Sequence, residues 1–206
     1  MITLYSLKPR FQGLLRPIVG RLAAAGVTAN QVTIAATAGS VLVGLAISGA
    51  ITHPIVFLLL PIWLALRMAL NAVDGMLARE FNQQSKLGAY LNEIGDVVSD
   101  AALYTPFALL APFGAAATGL VILLAVLTEF VGVMGPGIGA SRRYDGPLGK
   151  SDRALLLGAL GFWIGIGGAL PDWLAYLMPL IALLLLITVA NRIRAGLLEA
   201  ADPVAR

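Results

Sequence analysis

Apolar residues fill six long stretches of the chain, and short polar or glycine-containing connections separate them. A helix needs about 20 largely apolar residues to cross the hydrocarbon core of a bilayer. The fifth stretch is short for this purpose, whereas the second, third and fourth are long enough to project beyond the lipid. The pattern predicts an all-α integral membrane protein with six transmembrane helices. These are predicted at approximately residues 31–50, 55–79, 88–113, 115–140, 154–170 and 173–194.

The first 27 residues have a different pattern, in which basic side chains interrupt an apolar stripe. A basic amphipathic helix of this kind binds the headgroup layer of a membrane, where anionic lipid attracts it. We therefore expect an interfacial helix over residues 1–27, broken or bent at Pro9 and Pro17. The transmembrane domain follows over residues 28–206. A solvated cytosolic arm is the alternative interpretation of the first segment.

The composition supports a membrane protein and excludes several kinds of site. Of 206 residues, 59% are hydrophobic and 12% are charged, whereas soluble domains have about 25% charged residues. The mean hydropathy is +0.88. The chain has no cysteine, which excludes disulfides and thiolate chemistry, and its single histidine, His53, cannot build a metal site alone. No nucleic-acid partner is expected.

Basic residues are distributed unevenly among the connections, and this predicts an orientation. They lie in the N-terminal arm, in the connections after the second and fourth stretches, and at the C-terminal end. The connections at 50–54, 111–115 and 165–173 contain no lysine or arginine. The positive-inside rule therefore places both termini, and the polar connection after the second stretch, in the cytoplasm. An even number of spans places both termini on the same side of the membrane, which agrees with this orientation.

Two polar clusters interrupt the second and third predicted helices. One has Asn71, Asp74 and Ala78 at i, i+3 and i+7, and the other has Asn92, Asp96 and Asp100 at i, i+4 and i+8. Each cluster falls on one face of a helix. The simplest arrangement is an antiparallel hairpin whose polar faces meet near the connecting end. Oxygen ligands gathered in this way suit a hard cation such as Mg²⁺ or Mn²⁺.

The clusters belong to a longer pattern with fixed gaps. The pattern begins with Asp74-Gly75, and Ala78-Arg79 follow after a gap of two residues. Gly88 comes after a gap of eight residues, and Asn92 and Asp96 each follow after a further gap of three. This closely resembles the signature of the integral-membrane CDP-alcohol phosphatidyltransferases, D-x2-D-G-x2-A-R-x8-G-x3-D-x3-D. The resemblance extends to chain length, span count and orientation, and so covers nearly the whole chain.

The resemblance implies metal-dependent transfer of a phosphatidyl group, or a related substituted phosphate, from a CDP-linked donor to an alcohol. CMP is released, and the reaction belongs to phospholipid biosynthesis. The implied donor is CDP-diacylglycerol, and the implied acceptor is a small alcohol with or without a phosphate. The implied location is the cytoplasmic or inner membrane, with the active site facing the cytoplasm. Members of the family are often homodimers.

Residue roles follow from the matching positions. The resemblance implies that Asp96 is the general base and lies beside the metal. The implied metal ligands are Asn71, Asp74, Asn92, Asp96 and Asp100. The implied donor-binding residues are Asn30, Thr33, Asp74, Gly75, Ala78 and Arg79. Asn30 and Thr33 match an N-x-x-T turn at the start of the first span, where Thr28 or Asn30 is the predicted N-cap.

Two positions depart from the signature, because Asn71 and Asn92 stand where the family has aspartate. An amide oxygen can ligate Mg²⁺ but carries no charge. Asp100 can supply a third carboxylate and Glu93 can add charge at the edge. We expect weaker metal binding, or one ion where the family usually holds two. Two alternatives follow: the same fold with another CDP-linked donor, or a non-catalytic relative that binds nucleotide or lipid.

Other charged residues have two interpretations each. Arg67 can bind a donor phosphate or pair with a carboxylate. Lys150 and Arg153, at i and i+3 of a predicted helix start, can bind a phosphate on acceptor or donor, since an anion is also stabilised by the helix dipole. Their alternative role is to hold a basic loop inside the cell. Glu129 can pair with Arg67 or line the cavity, and Arg192 is expected to end the last helix at the interface.

Overall fold

The computed structural model describes residues 4–201, with side chains from residue 11 onwards. This part of the chain contains seven α-helices and no strand, so the all-α prediction is confirmed. Short 3-10 turns, Pro54–Leu58, Gly135–Ile138 and Asp172–Tyr176, adjoin three of the helices. The helices are α1 Leu4–Ala24, α2 Ala29–Gly49, α3 Leu59–Glu80, α4 Lys86–Ala108, α5 Ala115–Met134, α6 Lys150–Gly165 and α7 Leu177–Ala200.

Each of the six apolar stretches forms a helix, α2 to α7. Four of these helices, with their adjoining turns, are long and apolar enough to cross a membrane. They are Ala29–Gly49, Pro54–Glu80, Ala115–Ile138 and Asp172–Ala200. Of the other two, α4 carries three carboxylates and α6 has only 16 residues. The count of six spans stays a prediction for those two helices.

The first helix is continuous across Pro9 and Pro17, so it is not broken at either proline. Tertiary packing stabilises it, because Val19 is fully buried against residues of α2 and α3. Arg16 also donates two hydrogen bonds to the Glu80 carboxylate, at 3.1 and 2.9 Å. The opposite side of α1 exposes apolar residues such as Leu14, which is 77% exposed. Its placement in the headgroup layer stays a prediction.

The N-terminus of α2 is held by the connection between α3 and α4. Thr28 is the N-cap and accepts a hydrogen bond from the Gln31 amide, which decides between the two predicted caps. The Gln83 side chain accepts from the Ala29 amide at 2.7 Å. Because Gln83 follows α3, the start of α2 and the end of α3 lie at the same end of the bundle.

The predicted direct packing of the second and third transmembrane helices is not found. Instead α2 packs against both α3 and α4, whose backbones are not closely packed on each other. The chain continues with α5 packed on α4, α7 on α5, and α6 on α3. Charged side chains from α3, α4, α5 and α6 extend toward one another between these helices.

Close approach of α2 to α4 depends on small residues. A Cβ built at Gly44 would overlap the backbone carbonyl of Ala102. Backbone cannot yield as a flexible side chain can. We therefore expect Gly44→Ala to lower the free energy of unfolding by about 1–3 kcal/mol, the usual cost of overpacking.

Gly49 provides the matched control in the same helix, since a Cβ there meets nothing within 4 Å. Gly49→Ala is expected to be neutral or slightly stabilising, as alanine is the better helix former. Thermal unfolding of both variants in detergent measures the difference. Equal midpoints for Gly44→Ala and the unchanged protein would contradict the close α2–α4 contact.

Candidate functional site

Two carboxylates from the sequence pattern come together from different helices. Asp74 on α3 is buried, and its Oδ2 accepts a hydrogen bond from the Thr33 hydroxyl at 2.8 Å. Asp96 on α4 lies within electrostatic reach of Asp74, as does Lys150 at the start of α6. The candidate site therefore draws on α2, α3, α4 and α6.

Asp96 is held through one of its two oxygens. Its Oδ1 accepts from Arg67 Nη2 at 3.2 Å and is paired with the Lys150 ammonium. No described residue donates a hydrogen bond to Asp96 Oδ2. That oxygen can accept a proton or ligate a cation while Oδ1 keeps the side chain oriented.

The oxygen donors around this pair fit one divalent cation. Asn71 lies one turn before Asp74, and Asn92 lies one turn before Asp96; both are partly buried. Two carboxylates balance the charge of a single divalent ion, and hard cations prefer oxygen ligands. Among the described residues, no group of three or more His, Cys, Asp or Glu side chains could hold a metal. The predicted ligand set thus offers two charged and two neutral oxygen donors.

Arg79 lies next to this pair and is available to an anion. Its guanidinium folds over Gly75, where an added Cβ would be 3.0 Å from Nη2 and 3.2 Å from Nη1. Arg79 is exposed, and it forms no ion pair with the residues whose side chains the structure describes. Ala78, one residue earlier, packs partly buried against the cluster that holds α1.

The start of α4 meets the start of α2 at the same end of the bundle. Ser85 caps α4 by accepting from the Gly88 amide at 2.9 Å. Asn30 Oδ1 is 2.8 Å from the position of a Cβ built on Gly88. The glycine therefore makes room for the asparagine side chain, and Asn30 lies on the side where Thr33 contacts Asp74.

Asp100 lies deeper and both of its oxygens are engaged. Oδ1 accepts from Arg67 Nη1 at 2.6 Å, and Oδ2 accepts from Arg153 Nη2 at 2.9 Å. Arg153 is 1% exposed and also donates to Glu129 at 3.1 Å. Arg67 and Arg153 thus contact carboxylates, which favours the pairing interpretation for both. Glu129 pairs with Arg153 rather than with Arg67.

Two arginines complete this interior network. Arg142 pairs with both oxygens of Glu93, at 2.9 Å through Nη2, and lies 3.7 Å from Glu129. Arg192 is 2% exposed, donates to the Thr128 carbonyl, and lies 4.0 Å from Glu129. The expectation that Arg192 ends a helix at the interface is therefore wrong.

A signal for the burial of Arg192 exists in the sequence. Thr188, Arg192 and Gly196 recur every fourth residue, and all three are buried on one face of α7. A polar stripe inside an apolar helix indicates a partner within the bundle.

Comparison with known proteins bears on these features. The family model for CDP-alcohol phosphatidyltransferase matches residues 26–189. The inner membrane protein YnbA of Escherichia coli is 50% identical over 201 residues, covering 98% of this chain and 100% of that protein. A phosphatidylinositol phosphate synthase of Mycobacteroides abscessus is 30% identical over 190 residues, covering 90% and 84%.

Solved structures share the fold. The phosphatidylinositol phosphate synthase PgsA1 of Mycobacterium tuberculosis, in complex with manganese and citrate, matches with a TM-score of 0.72. It is 23% identical, and the match covers 90% of this chain and 91% of that one. The same enzyme with CDP-DAG bound matches with a TM-score of 0.73, at 23% identity, over 90% and 96%. With the motif, the family match and these folds in agreement, the chain belongs to the CDP-alcohol phosphatidyltransferase family.

Proposed function

We propose that this protein transfers a phosphatidyl group from CDP-diacylglycerol to the hydroxyl of an alcohol and releases CMP. The observation that carries this proposal is that Asp74 lies within electrostatic reach of Asp96 and Lys150, while the exposed Arg79 guanidinium folds over the adjacent Gly75. The related PgsA1 has been solved with CDP-DAG bound, which supports the choice of donor. The inner membrane location of the related YnbA supports the same membrane here.

The donor lies over the end of α3 in this account. Its pyrophosphate meets Arg79, whose planar fork of N–H donors matches phosphate oxygens. Gly75 and Ala78 leave room for the nucleotide against the helix, and Asn30 and Thr33 contact it from the start of α2. The diacylglycerol chains remain in the bilayer beside the outward, apolar helix faces.

Asp96 acts as the general base. The acceptor oxygen attacks the phosphorus of the phosphatidyl group, the bond from that phosphorus to the CMP oxygen breaks, and the acceptor proton passes to Asp96 Oδ2. Arg67 and Lys150 hold Oδ1 throughout, so the carboxylate keeps its direction. CMP leaves as the phosphate.

The proposed metal ligands are Asp74 and Asp96, with the amide oxygens of Asn71 and Asn92. When bound, Mg²⁺ or Mn²⁺ supplies positive charge to the pyrophosphate and to the departing CMP. The related PgsA1 has been solved with manganese, which supports a divalent ion. The predicted fifth ligand, Asp100, already pairs with two guanidiniums, so we propose that it positions Arg67 and Arg153 instead.

The proposed topology has six spans with both termini and the site on the cytoplasmic side, and α1 in the headgroup layer. Contacts between the basic connections support it. Arg16 pairs with Glu80 at the end of α3, Lys150 pairs with Asp96, and Ser141 donates to Glu199 at the end of α7. These segments therefore share one end of the bundle. A homodimer remains a prediction from the family.

The proposal is tested by CMP release from purified protein in detergent or lipid. CDP-diacylglycerol is supplied with Mg²⁺ or Mn²⁺, and alcohols are added one at a time. We expect CMP release that requires the donor, the metal and one acceptor class together. Saturable donor binding without CMP for any acceptor would contradict the transferase and favour a binding protein; CMP from another CDP-linked substrate alone would contradict the donor.

Arg79 is expected to control donor affinity. Arg79→Gln removes a charge-assisted contact typically worth about 1.5–3 kcal/mol. The dissociation constant for CDP-diacylglycerol is therefore expected to rise by about 10- to 100-fold. Arg194→Gln is the matched control, because Arg194 is exposed on α7, which does not pack closely on α3. Equal donor affinities for the two variants would remove Arg79 from the donor site.

A further inference from the structure

The cations behind Asp96 form a connected cluster in which each one already has a carboxylate partner. We call it the inner cluster. Its members come from α3, the connection after α5, α6 and α7, and their partners come from α4 and α5. The cations are Arg67, Arg142, Lys150, Arg153 and Arg192, and the carboxylates are Glu93, Asp96, Asp100 and Glu129.

Glu129 is at the centre of the inner cluster. It is 8% exposed and lies 3.1 Å from Arg153, 3.7 Å from Arg142 and 4.0 Å from Arg192. Glu93 engages Arg142 through both oxygens. Four buried polar groups are left without a hydrogen bond among the described residues: Nε of Arg142, Nε of Arg153 and the hydroxyls of Tyr104 and Thr118. They lie on separate residues, whereas every cation of the cluster already contacts a carboxylate.

A second anion would have to compete with carboxylates that are already in place. The five cations of the inner cluster share four carboxylates, and each cation contacts at least one of them. A phosphate monoester brings about −1.5 to −2 charge at neutral pH. To bind the guanidiniums it must displace Glu129 or Glu93, and a displaced carboxylate in a buried setting is costly. Arg79 is the contrast, since it is exposed, unpaired and open to the donor phosphates.

We propose that the alcohol acceptor of this enzyme carries no phosphate, and that Glu129 and Glu93 are the specificity-determining residues that close the inner cluster to phosphorylated alcohols. The inference rests on the proposed function, because it assigns the inner cluster to the acceptor side of the same site. Asp96, the proposed base, belongs to the cluster through its ion pair with Lys150. An uncharged polyol contacts the cluster through its hydroxyl groups. These donate hydrogen bonds to the carboxylates and accept them from the remaining N–H groups, so no ion pair of the cluster has to be broken.

The test compares matched acceptor pairs by equilibrium binding, which needs no turnover. Calorimetry measures glycerol 3-phosphate against glycerol, and inositol phosphate against inositol, on purified full-length protein. The unchanged protein is expected to show no saturable affinity for the phosphorylated member. Glu129→Gln removes a carboxylate that three guanidiniums share and leaves Arg192 without a carboxylate partner among the described residues. The affinity of this variant for the phosphorylated member is expected to exceed that of the unchanged protein by at least about tenfold, or 1.4 kcal/mol.

Two further variants keep the test decisive. Glu93→Gln removes a more exposed carboxylate with one guanidinium partner, and it is expected to give the same direction of change if Glu129→Gln does not fold. Glu199→Gln is the control. It removes a carboxylate that pairs with Arg143, and this pair lies at the same end of the bundle but outside the inner cluster. Arg143 also pairs with Asp145 and lowers the pKa of that carboxyl, so it keeps a partner.

Tight binding of a phosphorylated alcohol to the unchanged protein would overturn the inference, and so would variants that gain no affinity. CMP release with the same pairs separates this inference from the proposed function. A higher kcat/KM for the phosphorylated member would overturn the inference while the transferase stands. No CMP with any acceptor would contradict the transferase, and the binding comparison would still decide whether the cluster excludes phosphate.

Discussion

Asp96→Asn is expected to lower the rate of CMP release by about 10² to 10⁴-fold, the usual contribution of a positioned general base. Asparagine keeps the size of the side chain and one oxygen for Arg67 and Lys150, but its amide nitrogen cannot take the acceptor proton. At saturating metal, donor binding is expected to change little, because the donor phosphates also contact Arg79. The effect therefore falls on kcat.

The measurement is steady-state CMP release together with donor binding for the same preparation. Asp172→Asn is the control, since Asp172 is exposed in the turn before α7, far along the chain from the motif. It is expected to keep full activity. An Asp96→Asn enzyme that retains the original kcat would show that another group takes the proton.

Asp100→Asn is expected to destabilise the fold strongly. Asp100 supplies one carboxylate oxygen to Arg67 and the other to Arg153, and both guanidiniums are buried. Breaking a buried ion pair by removing one partner typically costs about 3–5 kcal/mol. Here two pairs are broken at once, and Arg67 is left with Asp96 and Arg153 with Glu129 as the remaining carboxylate partner. For a chain of this size, a loss of about 3–5 kcal/mol corresponds to a fall in the melting temperature on the order of 10 °C.

Thermal unfolding in detergent, with and without divalent metal, tests the role of Asp100. The exposed Asp172→Asn variant is again the control and is expected to melt with the unchanged protein. If Asp100→Asn instead kept its melting temperature and only raised the metal concentration needed for activity, Asp100 would belong with the metal ligands. The two outcomes distinguish a positioning role from ligation.

Much of the architecture could be predicted from the sequence, because the patterns that indicate helices and caps involve residues close to one another along the chain. Hydropathy located the six helices α2 to α7, and the fixed spacing from Asp74 to Asp96 indicated the candidate site. Helix-start preferences reduced the cap of α2 to Thr28 or Asn30. Each of these depends on residues within a few turns of one another, so a single chain suffices to recognise them.

The helix arrangement could not be predicted in the same way. A short connection between α3 and α4 favoured direct packing, yet α2 lies against both helices. Gly44 permits the close approach to Ala102, and Gly95 similarly accommodates Thr37 of α2. A glycine in the sequence shows that close contact is allowed but does not name the helix that makes it.

The pairing of the charged residues was also beyond the sequence. Arg67 and Asp100 are 33 residues apart, and Arg153 and Glu129 are 24 apart. Buried charge is costly, so a partner could be expected for each of them. Which partner each one meets depends on how α5, α6 and α7 pack, and that arrangement changed the interpretation of Lys150 and Arg153 from open phosphate ligands to paired cations.

The central claim is that the phosphatidyl group moves to an alcohol, and the lipid product tests it most directly. Protein in liposomes is supplied with CDP-diacylglycerol of defined acyl chains, divalent metal and an uncharged polyol, and the lipids are analysed by mass spectrometry. We predict a new phospholipid that joins the donor's phosphatidyl group to the polyol, in an amount equal to the CMP released. Phosphatidic acid as the sole product, or unchanged donor, both with the polyol and with its phosphate monoester, would contradict the transfer.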